Sequence, residues 1–199
     1  MMEQIVSFEK GSWDPREWIY AASVKVPDRY RFVQESNCIA NFPLKENPTS
    51  MSDYPYISMV GRQPLEGAFS VVTDCSFDSF GAPLVVLTGE PHILPDGRLE
   101  YGEHFEVVAY EKGLNFWWLG YEEGRHVVHS LLKASFPLEE KMVHRLKVTV
   151  SGSTLSAEIV GQSELYRVDC PALGAYSRLY AGITACEGIN RFYNFAIRR

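Results

Sequence analysis

His144-Arg-Leu-Lys-Val-Thr-Val-Ser-Gly-Ser-Thr-Leu-Ser-Ala-Glu-Ile-Val-Gly-Gln162 alternates apolar and polar residues on both sides of a Ser-Gly turn. Period two is the signature of a half-buried β-strand. Met142, Leu146, Val148 and Val150 fall on one face, against Arg145, Lys147 and Thr149. Beyond the turn, Leu155, Ala157 and Ile159 oppose Thr154, Ser156 and Glu158. Leu179-Tyr-Ala-Gly-Ile-Thr-Ala-Cys-Glu-Gly-Ile-Asn-Arg-Phe-Tyr-Asn-Phe-Ala-Ile-Arg198 repeats the design around Glu187-Gly188. There Tyr193, Phe195 and Ile197 oppose Asn194 and Arg198. Two consecutive hairpins of this kind need a second sheet to cover their apolar face.

The same alternation extends towards the N-terminus. Phe69, Val71, Cys75 and Phe77 share a face, with Ser70, Asp74, Ser76 and Asp78 on the other. Phe105, Val107 and Ala109 oppose His104, Glu106, Val108 and Tyr110. Further strands are predicted at 5–9, 30–34, 38–42, 54–60, 83–88, 114–121 and 127–133, with turn chemistry at Pro95-Asp-Gly97, Glu111-Lys-Gly113 and Glu123-Gly124. Asp14-Pro15 followed by Glu17 reads as the start of a short helical turn running to Trp18. Elsewhere no 3.6-residue period persists for the length of an ordinary helix. The stretch 47–53 reads as a loop and not a boundary, so residues 1–199 are expected to form one domain. The fold class is all-β: a two-layer antiparallel β-sandwich.

Composition narrows the partners. The 199 residues carry a formal charge of −6, and Lys and Arg are scattered along the chain, which disfavours nucleic acid. No apolar run is long enough for a membrane span. No basic segment followed by an apolar run opens the chain, which points to a cytoplasmic protein. Cys38, Cys75, Cys170 and Cys186 are far apart and form no C-x-x-C pair, so they read as structural thiols. No metal or other cofactor is expected. Aromatics reach 13%, enough to fill the core and also to furnish a stacking surface.

From Gly67 to the C-terminus, the order of these blocks resembles the concanavalin A-like lectin/glucanase superfamily. Gly67-Ala-Phe-Ser-Val-Val-Thr-Asp-Cys-Ser-Phe-Asp78 is similar to its central strand, and Pro83-Leu-Val-Val-Leu87 to the apolar partner that follows. The blocks at 104–121 and 144–150, and the closing pair Tyr180-Ala-Gly-Ile-Thr-Ala185 and Phe192-Tyr-Asn-Phe-Ala-Ile197, resemble its later strands. Within it, the chain looks most like small bacterial β-sandwich proteins associated with glycoside hydrolases. The resemblance implies a concanavalin A-like jelly roll that recognises a saccharide on its concave sheet.

The superfamily's retaining glucanases carry a Glu-x-Asp-x-x-Glu strand motif. The nearest stretch here, Glu100-Tyr-Gly-Glu103-His-Phe-Glu106, lacks the Asp and the spacing. Retaining chemistry needs two carboxyl groups about 5–5.5 Å apart, and Glu103 and Glu106 have opposite strand parity. Glu106 and His104 share a face, about 7 Å apart along the strand. They are the candidate catalytic pair, as acid and base or as hydrogen-bonding partners of a sugar, and polar decoration of a solvated face is the simpler reading. Trp117 and Trp118 are adjacent, so one faces the core and the other the opposite surface. A surface indole there would stack on a pyranose, with Tyr110 and Tyr121 as neighbours and Arg145 as a hydroxyl ligand. Packing of both indoles is the alternative. Asp74 and Asp78 stand too far apart for a retaining pair, and His126-x-x-His129 has the wrong parity for a zinc site on one face. The expected function is saccharide binding or processing on the sheet surface. The alternatives are a self-associating structural sandwich, forming a homo-oligomer, and a noncanonical glycosidase using Glu106.

Overall fold

A computed structural model of the protein describes residues 3–21, 30–78 and 80–199. Two antiparallel sheets face each other, as the alternation requires. The nine-stranded sheet runs Tyr166–Asp169, Thr154–Ile159, His144–Ser151, Phe69–Asp78, Ile189–Phe192, Ile39–Ala40, Val33–Gln34, with Asn194–Arg198 and Glu3–Ser7 continuing beside Phe69–Asp78. The eight-stranded sheet runs Arg125–Ser135, Gly113–Glu122, His104–Tyr110, Ala82–Thr88, Arg178–Cys186, Ile57–Gly61, Trp18–Tyr20, with Leu65–Glu66 paired to Arg178–Cys186. Consecutive hairpins form one end of each sheet, and towards the middle strands from distant parts of the chain become neighbours, the crossover pattern of a jelly roll.

The core lies between the sheets. Phe69, Val71, Cys75 and Phe77 meet Phe105, Val107, Phe116 and Ile183 there. Fully burying one such side chain contributes about 1.5–3 kcal/mol. At the hairpin tip of the eight-stranded sheet, Glu123 and Gly124 both take positive φ, 50° and 75°. This is the local geometry that matches a two-residue turn to the strand twist.

The eight-stranded sheet differs in one respect that positions the site. Ala82–Thr88 is buried on both faces. Val85 and Leu87 enter the central core, while Leu84 and Val86 join a second cluster on the outer face with Ile19, Val60, Leu99 and Tyr180. The segment leading to Leu99 and Tyr101 therefore covers part of that outer face and leaves the rest open.

Three local expectations need correction. Trp18 does not extend a helical turn: Pro15–Glu17 is one 3-10 turn, capped by Asp14 accepting from the Arg16 amide, and Trp18–Tyr20 is a strand paired with Ile57–Gly61. Met142 is exposed because the strand begins only at His144, whose buried ring stacks on Phe77. Tyr193 does not share a face with Phe195. The strand breaks there: Tyr193 N–H donates to the Asp74 carbonyl, and the Asn194 side chain accepts from the Asp74 N–H in place of a backbone carbonyl. That extra residue behaves as a β-bulge and flips the facing, so the Tyr193 hydroxyl meets Ser76 on the outer face.

Candidate functional site

On the open part of the outer face of the eight-stranded sheet lies a groove of about 710 Å3. Its floor is a patchwork set by strand parity. Glu106, Val108 and Tyr110 come from one strand, Asn115 and Trp117 from the next, and Leu84 from the strand on the other side. Register places Glu106 directly between Val86 and Trp117, and Val108 between Leu84 and Asn115. Met51, Phe80 and Glu187 form part of the rim. Phe80 is exposed and holds a positive φ of 73°, an uncommon posture for a bulky residue.

Glu106 is the hub of the polar chemistry. Tyr56 Oη donates to Glu106 Oε1 at 2.8 Å. Desolvation, reinforced by the Glu106 charge, pushes the Tyr56 phenol well above its ordinary pKa, so it stays a proton donor. His104 approaches the same oxygen from along the strand, with Nε2 at 3.7 Å. That is too long for a hydrogen bond. His104 Nδ1 lies 2.9 Å from the Gly102 carbonyl, which can only accept, so this bond assigns the hydrogen to Nδ1. Nε2 is then the ring nitrogen that faces Glu106. Tyr101 stacks on the His104 ring at 4.7 Å between centroids and shares a 2.6 Å hydrogen bond with Ser58, which in turn meets Thr184 at 2.5 Å. Burial raises the Tyr101 phenol as well.

Along the groove, the pattern reverses. Tyr110 Oη and Asn115 Oδ1 are both shielded from solvent and find no hydrogen-bond partner among the described residues. Unpaired groups of this kind cost roughly 1–3 kcal/mol each, and a ligand bringing hydroxyls would relieve them. Of the acids around the groove, Glu106 stands on the sheet floor, whereas Glu111, Glu140 and Glu187 come from turns.

The structure gathers some of the sequence-predicted residues and separates others. Glu106, Tyr110 and Trp117 line the groove, and His104 sits behind Glu106. Trp118 points the other way: it packs against the central core and stacks on His129 at 5.1 Å. Tyr121 is exposed and meets His126 edge-on, outside the groove lining. Arg145 belongs to the other sheet, where it holds Asp74 through two hydrogen bonds of 2.7 and 2.8 Å. It therefore does not join Glu106. Asp78, the second acid of that strand, pairs with Arg191. His126 and His129 take opposite faces, with Tyr121 and Trp118 respectively. Among the described residues no cluster of three His, Cys, Asp or Glu side chains is placed to hold a metal.

Sequence reasoning missed Tyr56, Ser58, Tyr101 and Thr184. Alternation in Tyr56-Ile-Ser-Met-Val60 does put Tyr56, Ser58 and Val60 opposite the buried Ile57 and Met59. Nothing local says that this face borders Glu106, fifty positions away.

Neither a protein-family model nor a curated protein sequence matches the chain. Solved structures do match it in fold. A Bacillus subtilis protein of unknown function with a galectin-like fold superposes with a TM-score of 0.67 at 11% identity, covering 98% of this chain and 94% of that one. The carbohydrate-binding module CBM66 from Bacillus subtilis gives 0.60 at 9% identity, covering 89% and 92%. LamAcat from Zobellia galactanivorans gives 0.60 at 11%, covering 100% and 97%. The fold is a concanavalin A-like jelly roll. Identities this low establish that architecture and leave the chemistry to the residues of this chain.

Proposed function

We propose that the protein binds a saccharide in the groove over Trp117. The supporting observation is the pairing, on one floor, of a half-buried indole with the unpartnered Tyr110 hydroxyl and Asn115 carbonyl oxygen. A pyranose offers a C–H face to the ring and hydroxyls to those atoms and to Glu106. The fold's occurrence in a carbohydrate-binding module supports the same reading by analogy.

The test is a panel of oligosaccharides read by thermal shift and tryptophan fluorescence. A glycan that binds the native protein should bind Trp117→Ala at least about tenfold more weakly, the loss expected for a central aromatic anchor. Equal affinity in the variant would defeat the proposal.

One observation favours a second reading, a noncanonical glycosidase. Tyr56 and His104 approach one carboxylate oxygen of Glu106, at 2.8 and 3.7 Å, so that three proton-handling groups lie together. The groups touching Glu106 are a phenol and an imidazole, not the second carboxyl that the usual mechanism requires. Product analysis decides between the two: turnover that disappears in Glu106→Gln while binding persists would select the enzyme.

A further inference from the structure

The chain's arginines are scattered in sequence, yet the fold collects four of them. Arg16, Arg31, Arg62 and Arg98 line one cavity of about 220 Å3, together with Tyr20 and Tyr30. The cavity lies at the Trp18–Tyr20 edge of the eight-stranded sheet. Four strand steps separate that edge from the strand of Glu106, roughly 19 Å at ordinary strand spacing. It is a different place from the groove.

Asp96 also lines the cavity, and among the described residues carboxylates pair with only two of the four arginines. Arg16 is held by Asp14 and Arg98 by Asp96. Arg62 spends its Nε on the Arg16 carbonyl, and neither Arg62 nor Arg31 has a carboxylate partner among the described residues. Arg31 instead lies over two rings, 5.1 Å from the Tyr20 centroid and 5.4 Å from that of Tyr30. Arg98 lies 5.3 Å from the same Tyr30 ring. Two guanidinium groups thus share one aromatic ring. Stacking fixes the plane of each guanidinium and leaves its edge N–H groups for an acceptor. Among the described residues two of these four cations have no carboxylate partner, a local positive potential in a chain of net charge −6.

We infer that this arginine-lined cavity is a binding site for a doubly charged tetrahedral oxyanion, the phosphate or sulfate group of a small ester or the free ion. Planar forks suit such an anion because each can donate two parallel hydrogen bonds to its oxygens. The cavity has room for more than the anion itself, so Tyr20 and Tyr30 would flank whatever the anion is attached to. Tyr20 is a fixed donor, its phenol pushed up to about 12 by burial.

Titration calorimetry with inorganic phosphate, sulfate, pyrophosphate and acetate tests the assignment on the intact chain. Phosphate, sulfate or pyrophosphate should bind with an affinity that falls as salt rises, and acetate should bind much more weakly. Arg31→Gln and Arg62→Gln should each weaken binding about tenfold, the worth of one charge-assisted hydrogen bond. Arg145→Gln removes the same charge on the other sheet and should leave the affinity unchanged. An equal loss in Arg145→Gln would reveal diffuse electrostatics and overturn the site, as would no heat with any dianion at millimolar concentration. Preference for acetate would overturn the tetrahedral class. Circular dichroism of each variant confirms that the fold is intact. Phosphate and sulfate ester sugars then distinguish an ester ligand, which binds more tightly than the ion, from the ion alone.

Discussion

The two outer faces of the sandwich use their polar side chains differently. On the nine-stranded sheet, three pairs of polar residues are satisfied by their own register partners. Arg145 sits opposite Asp74 and binds it; Lys147 sits opposite Glu158 and binds it at 2.9 Å; Ser70 sits opposite Thr149 and shares a 2.8 Å hydrogen bond. On the eight-stranded sheet, the register partners of Glu106 are Val86 and Trp117, which can offer its carboxylate nothing of the kind. Its donor, Tyr56, immediately precedes a strand three positions across the sheet. Tyr110 and Asn115 find no donor or acceptor among the described residues. Cross-strand pairs stabilise a sheet locally. A face that omits them carries its polar groups at a cost to stability, and such a cost is what a binding surface leaves for its ligand to offset.

The largest expected effect tests the backbone of the same sheet beside the groove. Gly182 lies in the row of Val60, Val86 and Glu106, and a Cβ there would run into the Met59 carbonyl oxygen of the neighbouring strand. The obstacle is backbone, so relief requires the two strands to part. Gly182→Ala should destabilise the protein by about 3 kcal/mol, the upper end of ordinary overpacking. Chemical denaturation measures it. A loss below about 1 kcal/mol would mean that the strands yield easily and that this face is softer than its packing implies.

Next in size is the one hydrogen bond that makes the difference between the faces. Tyr56→Phe keeps the ring and deletes the donor to Glu106 Oε1. The orphaned carboxylate oxygen should cost about 1–3 kcal/mol. Adding Glu106→Leu to the same chain should recover part of that loss, because removing both partners is cheaper than removing one. Additive losses in the double variant would show that Tyr56 and Glu106 are not energetically coupled.

That contrast also explains what was legible in the sequence. Alternation is a local property, and it placed Phe69, Val71, Phe105 and Val107 in the core and Glu106 with His104 on the outer face. Strands and turns in the C-terminal two thirds emerge almost as expected because each carries its own pattern. Failures occur where the answer depends on another strand. Of the two adjacent indoles, parity alone could not decide that Trp117 takes the groove; the core packing of Trp118 does. Arg145 was assigned to the ligand without knowledge that its opposite number is Asp74. Tyr56 was invisible for the same reason, and so was the gathering of Arg16, Arg31, Arg62 and Arg98 around one cavity. Tyr193 failed differently: one inserted residue reverses facing, and nothing in the composition of Phe192-Tyr-Asn-Phe195 announces the insertion.

The smallest expected effect belongs to the face that satisfies itself. Hydrogen bonds from Arg145 hold the Asp74 carboxyl below its ordinary value of 3.8; burial works against them, and the Asn194 amide adds to them. A depressed folded pKa contributes stability that is complete above the unfolded value and disappears as pH falls through the folded one. Arg145 is half exposed, so solvent screening limits the pair, and Arg145→Gln should lower stability at neutral pH by less than about 1 kcal/mol. As pH falls below the unfolded value and through the folded one, the native and variant melting temperatures should converge, because protonated Asp74 no longer distinguishes an arginine from a glutamine by charge. A gap that persists in acid would assign the contribution of Arg145 to the packing of its stem across the strand. The register pairs of this face would then be held by apolar contact, and the contrast with Glu106 would rest on geometry alone.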